Sequence, residues 1–192
     1  MSISLVKGQK IDLTKGNGGL NRVAFGLGWD TNKYDGDSEF DLDVSVFLTD
    51  ASGKVTGEQD FVFYGQTSHP SGAVSYSGDS RNGEGAGDDE TMKVELSKIP
   101  ANIEKLSFVA TIYDADTRLQ NFGMVDNSYI RAYNTDTNEE LFKYELNEDF
   151  SLETGIVAGE LYRHNGEWKF AAVGSGYTGG LGAIARNFGL NI

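Results

Sequence analysis

Two short segments of this chain concentrate its oxygen chemistry. Asp30, Asp35, Asp37, Glu39, Asp41 and Asp43 stand in the first, against one base, Lys33. Asp79, Glu84, Asp88, Asp89 and Glu90 stand in the second, against Arg81. These windows carry −5 and −4 of a formal net charge of −13. A charge run alone is commonly a solvated loop. The residues between the acids shift the balance. In Asp41-Leu42-Asp43-Val44-Ser45-Val46-Phe47-Leu48 the pattern alternates with period two, so Leu42, Val44, Val46 and Leu48 share one face and Asp41 and Asp43 share the other. Two carboxylates so placed repel by about 4 kcal/mol at ~4 Å and an effective dielectric near ~20. A bound cation reverses that sign.

The second window is interleaved with Gly78, Gly83, Gly85 and Gly87, which let the backbone turn tightly and aim carbonyls and carboxylates at one point. Neither window contains histidine, and cysteine is absent from the chain. Abundant oxygen without nitrogen or sulfur suits calcium, which takes about six to eight oxygen ligands; magnesium, which prefers few protein ligands and several waters, fits less well. Asp79 and Glu90 have the spacing of the first and last positions of an EF-hand loop. Arg81 and Glu84 occupy positions where that loop needs Asp or Asn and Gly, so an EF-hand is excluded.

Other chemistries find little support. Without cysteine there are no disulfides, zinc ribbons, iron–sulfur ligands or thiol nucleophiles. Gly174-Ser175-Gly176-Tyr177-Thr178-Gly179 fits a dinucleotide fingerprint, but no room follows for the second strand and its acid, so these glycines read as structural. His69 and His164 both fall in expected turns, where local hydrogen bonding is the ordinary role. The acids sit amid glycine and serine rather than in an apolar pocket, unlike a glycosidase pair. Trp29, Tyr162, Trp168 and Phe170 read as core. The acidic balance disfavours nucleic acid. No apolar run reaches the ~18 residues of a membrane span, and residues 1–8 lack a signal-peptide pattern, so a cytoplasmic location is expected.

The elements that must position the acids are strands. Runs at Ile3–Leu5, Arg22–Leu27, Phe40–Leu48, Phe61–Tyr64, Thr91–Leu96, Leu106–Tyr113, Tyr129–Asn134, Leu141–Leu146, Gly159–Arg163 and Trp168–Val173 are bounded by glycine and polar turns. Leu106, Phe108, Ala110 and Ile112 alternate toward a core. About ten strands predict an all-β, two-sheet β-sandwich with the acidic loops at one end. No repeat or linker divides the chain, so residues 1–192 are expected to form one domain. Leu181, Ile184, Ala185 and Phe188 recur at helical spacing and predict a short C-terminal helix packed on the sandwich and stopped by Gly189.

Gly26-Leu27-Gly28-Trp29-Asp30, then Phe40-Asp41-Leu42-Asp43-Val44-Ser45, then Gly78-Asp79, Gly83-Glu84-Gly85 and Gly87-Asp88-Asp89-Glu90 resemble the signature of the TerD family of tellurium-resistance and general stress proteins. Gln120-Asn121-Phe122-Gly123, Gly159-Glu160-Leu161-Tyr162-Arg163, Gly166-Glu167-Trp168-Lys169-Phe170 and Gly176-Tyr177-Thr178-Gly179-Gly180-Leu181 extend the resemblance in family order over nearly the whole chain. It implies a bacterial, cytoplasmic β-sandwich that binds two calcium ions between the acidic loops. The ligands it implies are Asp30, Asp41, Asp43, Asp79, Glu84, Asp88, Asp89 and Glu90, with Gly83 as a backbone donor. The family commonly has Asn and Thr where Ser80 and Asn82 stand here, which leaves open which of these two would ligate. The resemblance also implies a role in resistance to tellurite and other stresses, with no activity established as enzymatic; a calcium-dependent sensor or scaffold without catalytic residues is the expectation drawn here. Other stress-resistance proteins are the implied partners, in a complex peripheral to the inner membrane. A metal-assisted hydrolase using the acidic site is the alternative.

Overall fold

Residues with branched or aromatic side chains at every second position pair into strands wherever one face can be buried. The structure, a computed structural model, describes residues 2–30, 39–78, 87–146, 150 and 152–192. Among them are twelve strands: β1 (Ile3–Leu5), β2 (Lys10–Asp12), β3 (Arg22–Gly28), β4 (Leu42–Thr49), β5 (Phe61–Val62), β6 (Val74–Ser77), β7 (Glu90–Glu95), β8 (Lys105–Ile112), β9 (Tyr129–Asn134), β10 (Glu140–Glu145), β11 (Gly155–His164) and β12 (Glu167–Tyr177). Two α-helices accompany them, α1 (Ala115–Arg118) and α2 (Gly180–Asn187).

The strands form two six-stranded sheets. The first runs β1-β10-β9-β3-β7-β6 and the second β2-β12-β11-β8-β4-β5. Among the described strands only the β1–β10 pair is parallel. Between the sheets lies an aromatic centre drawn from both. Phe25 stacks on Phe108 with ring centroids 4.0 Å apart, and Phe142 stacks on Phe170 at 4.3 Å. All four are fully buried. Each such ring contributes about 1.5–3 kcal/mol by leaving water.

A second apolar cluster lies on the outer face of the second sheet. There α2 packs Ile184, Ala185 and Phe188 against Phe47, Phe61, Val109 and Val157. The helix stops as expected at Gly189, whose φ of 89° lets Leu190 donate its amide back to the Ala185 carbonyl at 2.9 Å. Covered on both sides, β4 is buried along its whole length, and β8 at every residue but its first. The expected sandwich with a short C-terminal helix is therefore what forms. Two strands went unread in the sequence, β2 and β6, which are three and four residues long. The Gly174–Gly179 fingerprint does not form a phosphate loop: Gly174 and Gly176 lie inside β12, which runs on to Tyr177.

Candidate metal centre

The first acidic window crosses from one sheet to the other, leaving the end of β3 and entering β4. The second returns from β6 to β7 within the first sheet. Their described ends meet. Trp29, directly after β3, donates its amide to Asp89 Oδ2 at 3.1 Å and its indole Nε1–H to the Phe40 carbonyl at 3.2 Å. Asp89 in turn donates its amide to the Leu27 carbonyl, extending the β3–β7 ladder. Glu90, 1% exposed, accepts the Val44 amide of β4 at 2.5 Å and the Tyr76 hydroxyl of β6 at 2.8 Å. Trp29 thus serves as core and clamp.

Asp88 turns to the outer face of the first sheet. Its Oδ1 accepts Arg131 Nε–H at 2.7 Å and the Tyr129 hydroxyl at 3.1 Å. The carboxylate lies directly on Gly26, where a Cβ would come within 2.1 Å of its Oδ2. Gly28 likewise leaves room for the Tyr129 ring, 2.5 Å from where a Cβ would sit. Register explains both, because β3 pairs with β9 as Gly26↔Arg131 and Gly28↔Tyr129. Burial, followed by the Asp88 charge and its hydrogen bond, pushes the Tyr129 phenol up to about 12. The hydrogen bond from Asp88 holds the Arg131 guanidinium above its ordinary range, against the opposing effect of burial.

Asp41 and Asp43 face the other way. Asp43, 8% exposed, looks outward from the second sheet beside Thr111, its register partner on β8. It lines a cavity of about 220 Å³ with Tyr64, Tyr113, Asp114 and Asp116, walled by Gly180 and Leu181 of α2. The Tyr64 phenol is pushed up first by burial and then by the charges of Asp43, Tyr113 and Asp41. Asp41, the residue before β4, accepts the Tyr113 amide at its carbonyl at 2.7 Å. Asp30 donates its amide to the Asp126 carbonyl at 3.0 Å and accepts Asn127 Nδ2–H at 2.5 Å.

The described carboxylates thus share one end of the sandwich and point in three directions: Asp88 over the first sheet, Glu90 between the sheets, Asp41 and Asp43 over the second. Among the described residues no three His, Cys, Asp or Glu side chains converge on a metal position. Asp79, Gly83 and Glu84 lie outside the described residues, as do Ser80, Asn82, Asp35 and Asp37. The donor set suits a hard cation, since every candidate atom is oxygen. Sequence reasoning missed the groups that hold the acids, namely Tyr76, Tyr129 and Arg131. For the last two a signal existed: Tyr129 and Arg131 alternate on one face of a strand rich in polar residues.

His69 makes the local hydrogen bonds expected of it, from a buried position. Its Nε2 lies 3.0 Å from Asp60 Oδ1 and its Nδ1 2.8 Å from Ser71 Oγ. The order serine–histidine–aspartate is that of a nucleophile relay. Here Nδ1 also accepts the Ser71 amide at 3.1 Å, and Ser71 Oγ accepts the Ala73 amide at 3.1 Å. Those bonds tie a turn together and occupy the groups a reaction would need.

The TerD domain model matches residues 1–188. The chain belongs to the TerD family. General stress protein 16U of Bacillus subtilis (strain 168) is 62% identical over 192 residues, covering 100% of both chains. Tellurium resistance protein TerD of Serratia marcescens is 48% identical over 191 residues, 100% of this chain and 99% of that one. A crystal structure of the protein of unknown function SAV2460 superposes with a TM-score of 0.74 at 26% identity, over 91% of this chain and 99% of that one. A homologue of telluride resistance protein (TerD) from Streptomyces coelicolor A3(2) superposes with a TM-score of 0.73 at 24% identity, over 91% of this chain and 100% of that one, and so shares the fold. TerD-family membership places the chain among tellurium-resistance and general stress proteins. No helix among the described residues is long and apolar enough to cross a membrane.

Proposed function

We propose that this TerD-family chain is a calcium-dependent binding module of the stress response, acting in the cytoplasm as a sensor or scaffold and not as an enzyme. The observation that carries the reading is the junction of the two acidic windows, held by Trp29 between Asp89 and Phe40 and by Glu90 on Val44. Carboxylates gathered at one end repel unless countercharge is present. Asp30, Asp41, Asp43 and Asp89, with Asp79, Gly83 and Glu84, would donate the oxygens, and bound calcium would supply the countercharge. Asp88 and Glu90 carry a second duty in this reading, since Arg131, Tyr76 and Val44 already engage them and so fix where the second window meets β7.

Titration with calcium by calorimetry tests this directly, with two sites expected. Calcium a hundredfold above Kd would stabilise the fold by about 2.7 kcal/mol, read as a shift in Tm against excess EDTA. Asp41→Asn combined with Asp43→Asn should abolish the shift and leave the metal-free fold intact. No heat of binding and no shift in Tm would refute the reading. Calcium-dependent turnover of a phosphoester panel, lost in Asp43→Asn, would favour a hydrolase instead.

A further inference from the structure

Leu119 combines two features that leucine rarely shows together. Its backbone is left-handed, at φ 54° and ψ 43°, and its side chain is 81% exposed. It closes α1: the Leu119 amide donates to Asp116 O at 3.4 Å and the Gln120 amide to Ala115 O at 2.9 Å. Glycine is the residue this closing position favours, because a Cβ crowds the left-handed conformation. The fold would be better served without the side chain, yet the chain places leucine there and leaves it in water. Strain of this kind at a surface points to a use for the side chain.

The segment is braced and not loose. Arg118 and Gln120 both donate to the Glu39 carbonyl, at 3.3 and 3.4 Å, and the Phe122 amide donates to the Glu153 carbonyl at 2.9 Å. Met124 and Leu152 also expose apolar surface, Leu152 to 71%, on the two segments that the Phe122–Glu153 hydrogen bond joins. The rim carries the carboxylates of Asp114 and Asp116 against one base of α1, Arg118. The neighbouring cavity, lined by Asp43, Asp114, Asp116, Tyr64 and Tyr113, has no cationic lining residue among the described residues. Tyr113 already holds a guanidinium, that of Arg118, 5.5 Å from its ring centroid.

We propose that Leu119 is the apolar anchor of a docking surface for a protein segment that presents an apolar side chain flanked by arginine or lysine. Leu119, Met124 and Leu152 would meet the apolar part. The cavity would receive the basic side chain at Asp114 and Asp116, beside the Tyr64 ring, where a guanidinium gains both charge pairing and ring contact. The acidic rim disfavours an anionic lipid surface as occupant. The inference goes beyond calcium binding and does not require it, because Leu119, Asp114 and Asp116 belong to neither acidic window.

The test places a photo-crosslinking residue at position 119 of the full chain in growing cells, with position 164 at the opposite end of the sandwich as control. A discrete protein adduct is expected at 119 and not at 164. The captured protein is then purified and titrated against the intact chain in saturating calcium. Leu119→Gly should weaken binding at least tenfold while leaving Tm unchanged or higher and calcium binding, by calorimetry, unchanged. Asp116→Asn should weaken binding and reduce its salt dependence. No protein adduct, a lipid adduct, equal affinity for Leu119→Gly, or a lower Tm for that variant would overturn the proposal. Loss of calcium binding with docking intact would refute only the calcium reading.

Discussion

The carboxylate of Glu90 in one sheet accepts the backbone amide of Val44 in the other, at 2.5 Å. The short β5 explains why. It pairs with β4 at Val46↔Val62 and Phe47↔Phe61, so among the described residues no strand pairs on that side with β4 before Val46. A buried amide needs an acceptor, and the Glu90 side chain takes the place of the missing strand. Its other oxygen accepts the Tyr76 hydroxyl, so one residue joins β4, β6 and β7 at the acidic end.

This tie should persist without metal. In excess EDTA, Glu90→Ala is expected to lower the unfolding free energy by about 3 kcal/mol, because it orphans a buried amide and a hydroxyl. Glu90→Gln keeps an acceptor for Val44 and should lose no more than about 1 kcal/mol. Urea unfolding of the three proteins measures both. Equal stability of the Ala and Gln variants would show that the hydrogen bond to Val44 contributes nothing.

Gly26 has no spare room. A methyl group there would displace the Asp88 carboxylate and with it the Arg131 and Tyr129 bonds. Gly26→Ala is expected to destabilise by about 2–4 kcal/mol, the range for overpacking combined with a disturbed buried ion pair. Asp88→Ala in the same background should then add little, since the two changes remove one arrangement. Thermal unfolding of both single variants and the double variant checks the coupling.

Tyr129 gives the site a signal in the alkaline range. Its phenol is pushed up to about 12 from an ordinary 10.0, by burial first and then by the Asp88 charge. A raised phenol keeps its proton longer in the folded chain than in the unfolded one. Its contribution to stability is therefore complete below pH 10 and lost as pH rises through about 12. Ultraviolet titration of the metal-free protein should show a late tyrosine transition that Tyr129→Phe removes. In Asp88→Asn that transition should move down toward 10, and a transition that stays put would mean burial alone sets it.

What the sequence made legible follows from period and length. The alternation in β4 announced that Asp41 and Asp43 share a face, and the Tyr64 phenol senses both. In β8 the alternation of Leu106, Phe108, Ala110 and Ile112 marked one core face and left Val109 and Thr111 unassigned. They are buried, because α2 covers that face, and a helix read only from Leu181, Ile184, Ala185 and Phe188 does not say which strands it will cover. β2 offers one apolar residue, Ile11, between Lys10 and Asp12, and β6 alternates Val74 and Tyr76 with serines that read as turn. The direction of Asp88 was hidden for another reason: it depends on the register of β3 against β9, which brings Gly26 and Arg131 side by side from opposite parts of the chain. The two glycines of Gly26-Leu27-Gly28 were visible, and their reason was not.

The cover formed by α2 links packing to the site. Phe188 stacks on Phe47 at 4.7 Å and Phe47 on Phe61 at 4.4 Å, while the start of the same helix supplies Gly180 and Leu181 to the cavity that Asp43 lines. Phe188→Ala is expected to cost about 3 kcal/mol, toward the low end for a buried phenylalanine because the ring lies at the edge of its cluster. The loss should fall first on α2. Hydrogen exchange should show the amides of residues 183–190 losing protection while those of β8 and β11 keep theirs. If the helix is an independent cover, Asp43 then becomes more accessible with the sandwich intact, and any calcium affinity that depends on Asp43 changes without a change in the core. Uniform loss of protection across both sheets would instead show that α2 unfolds only with the whole chain.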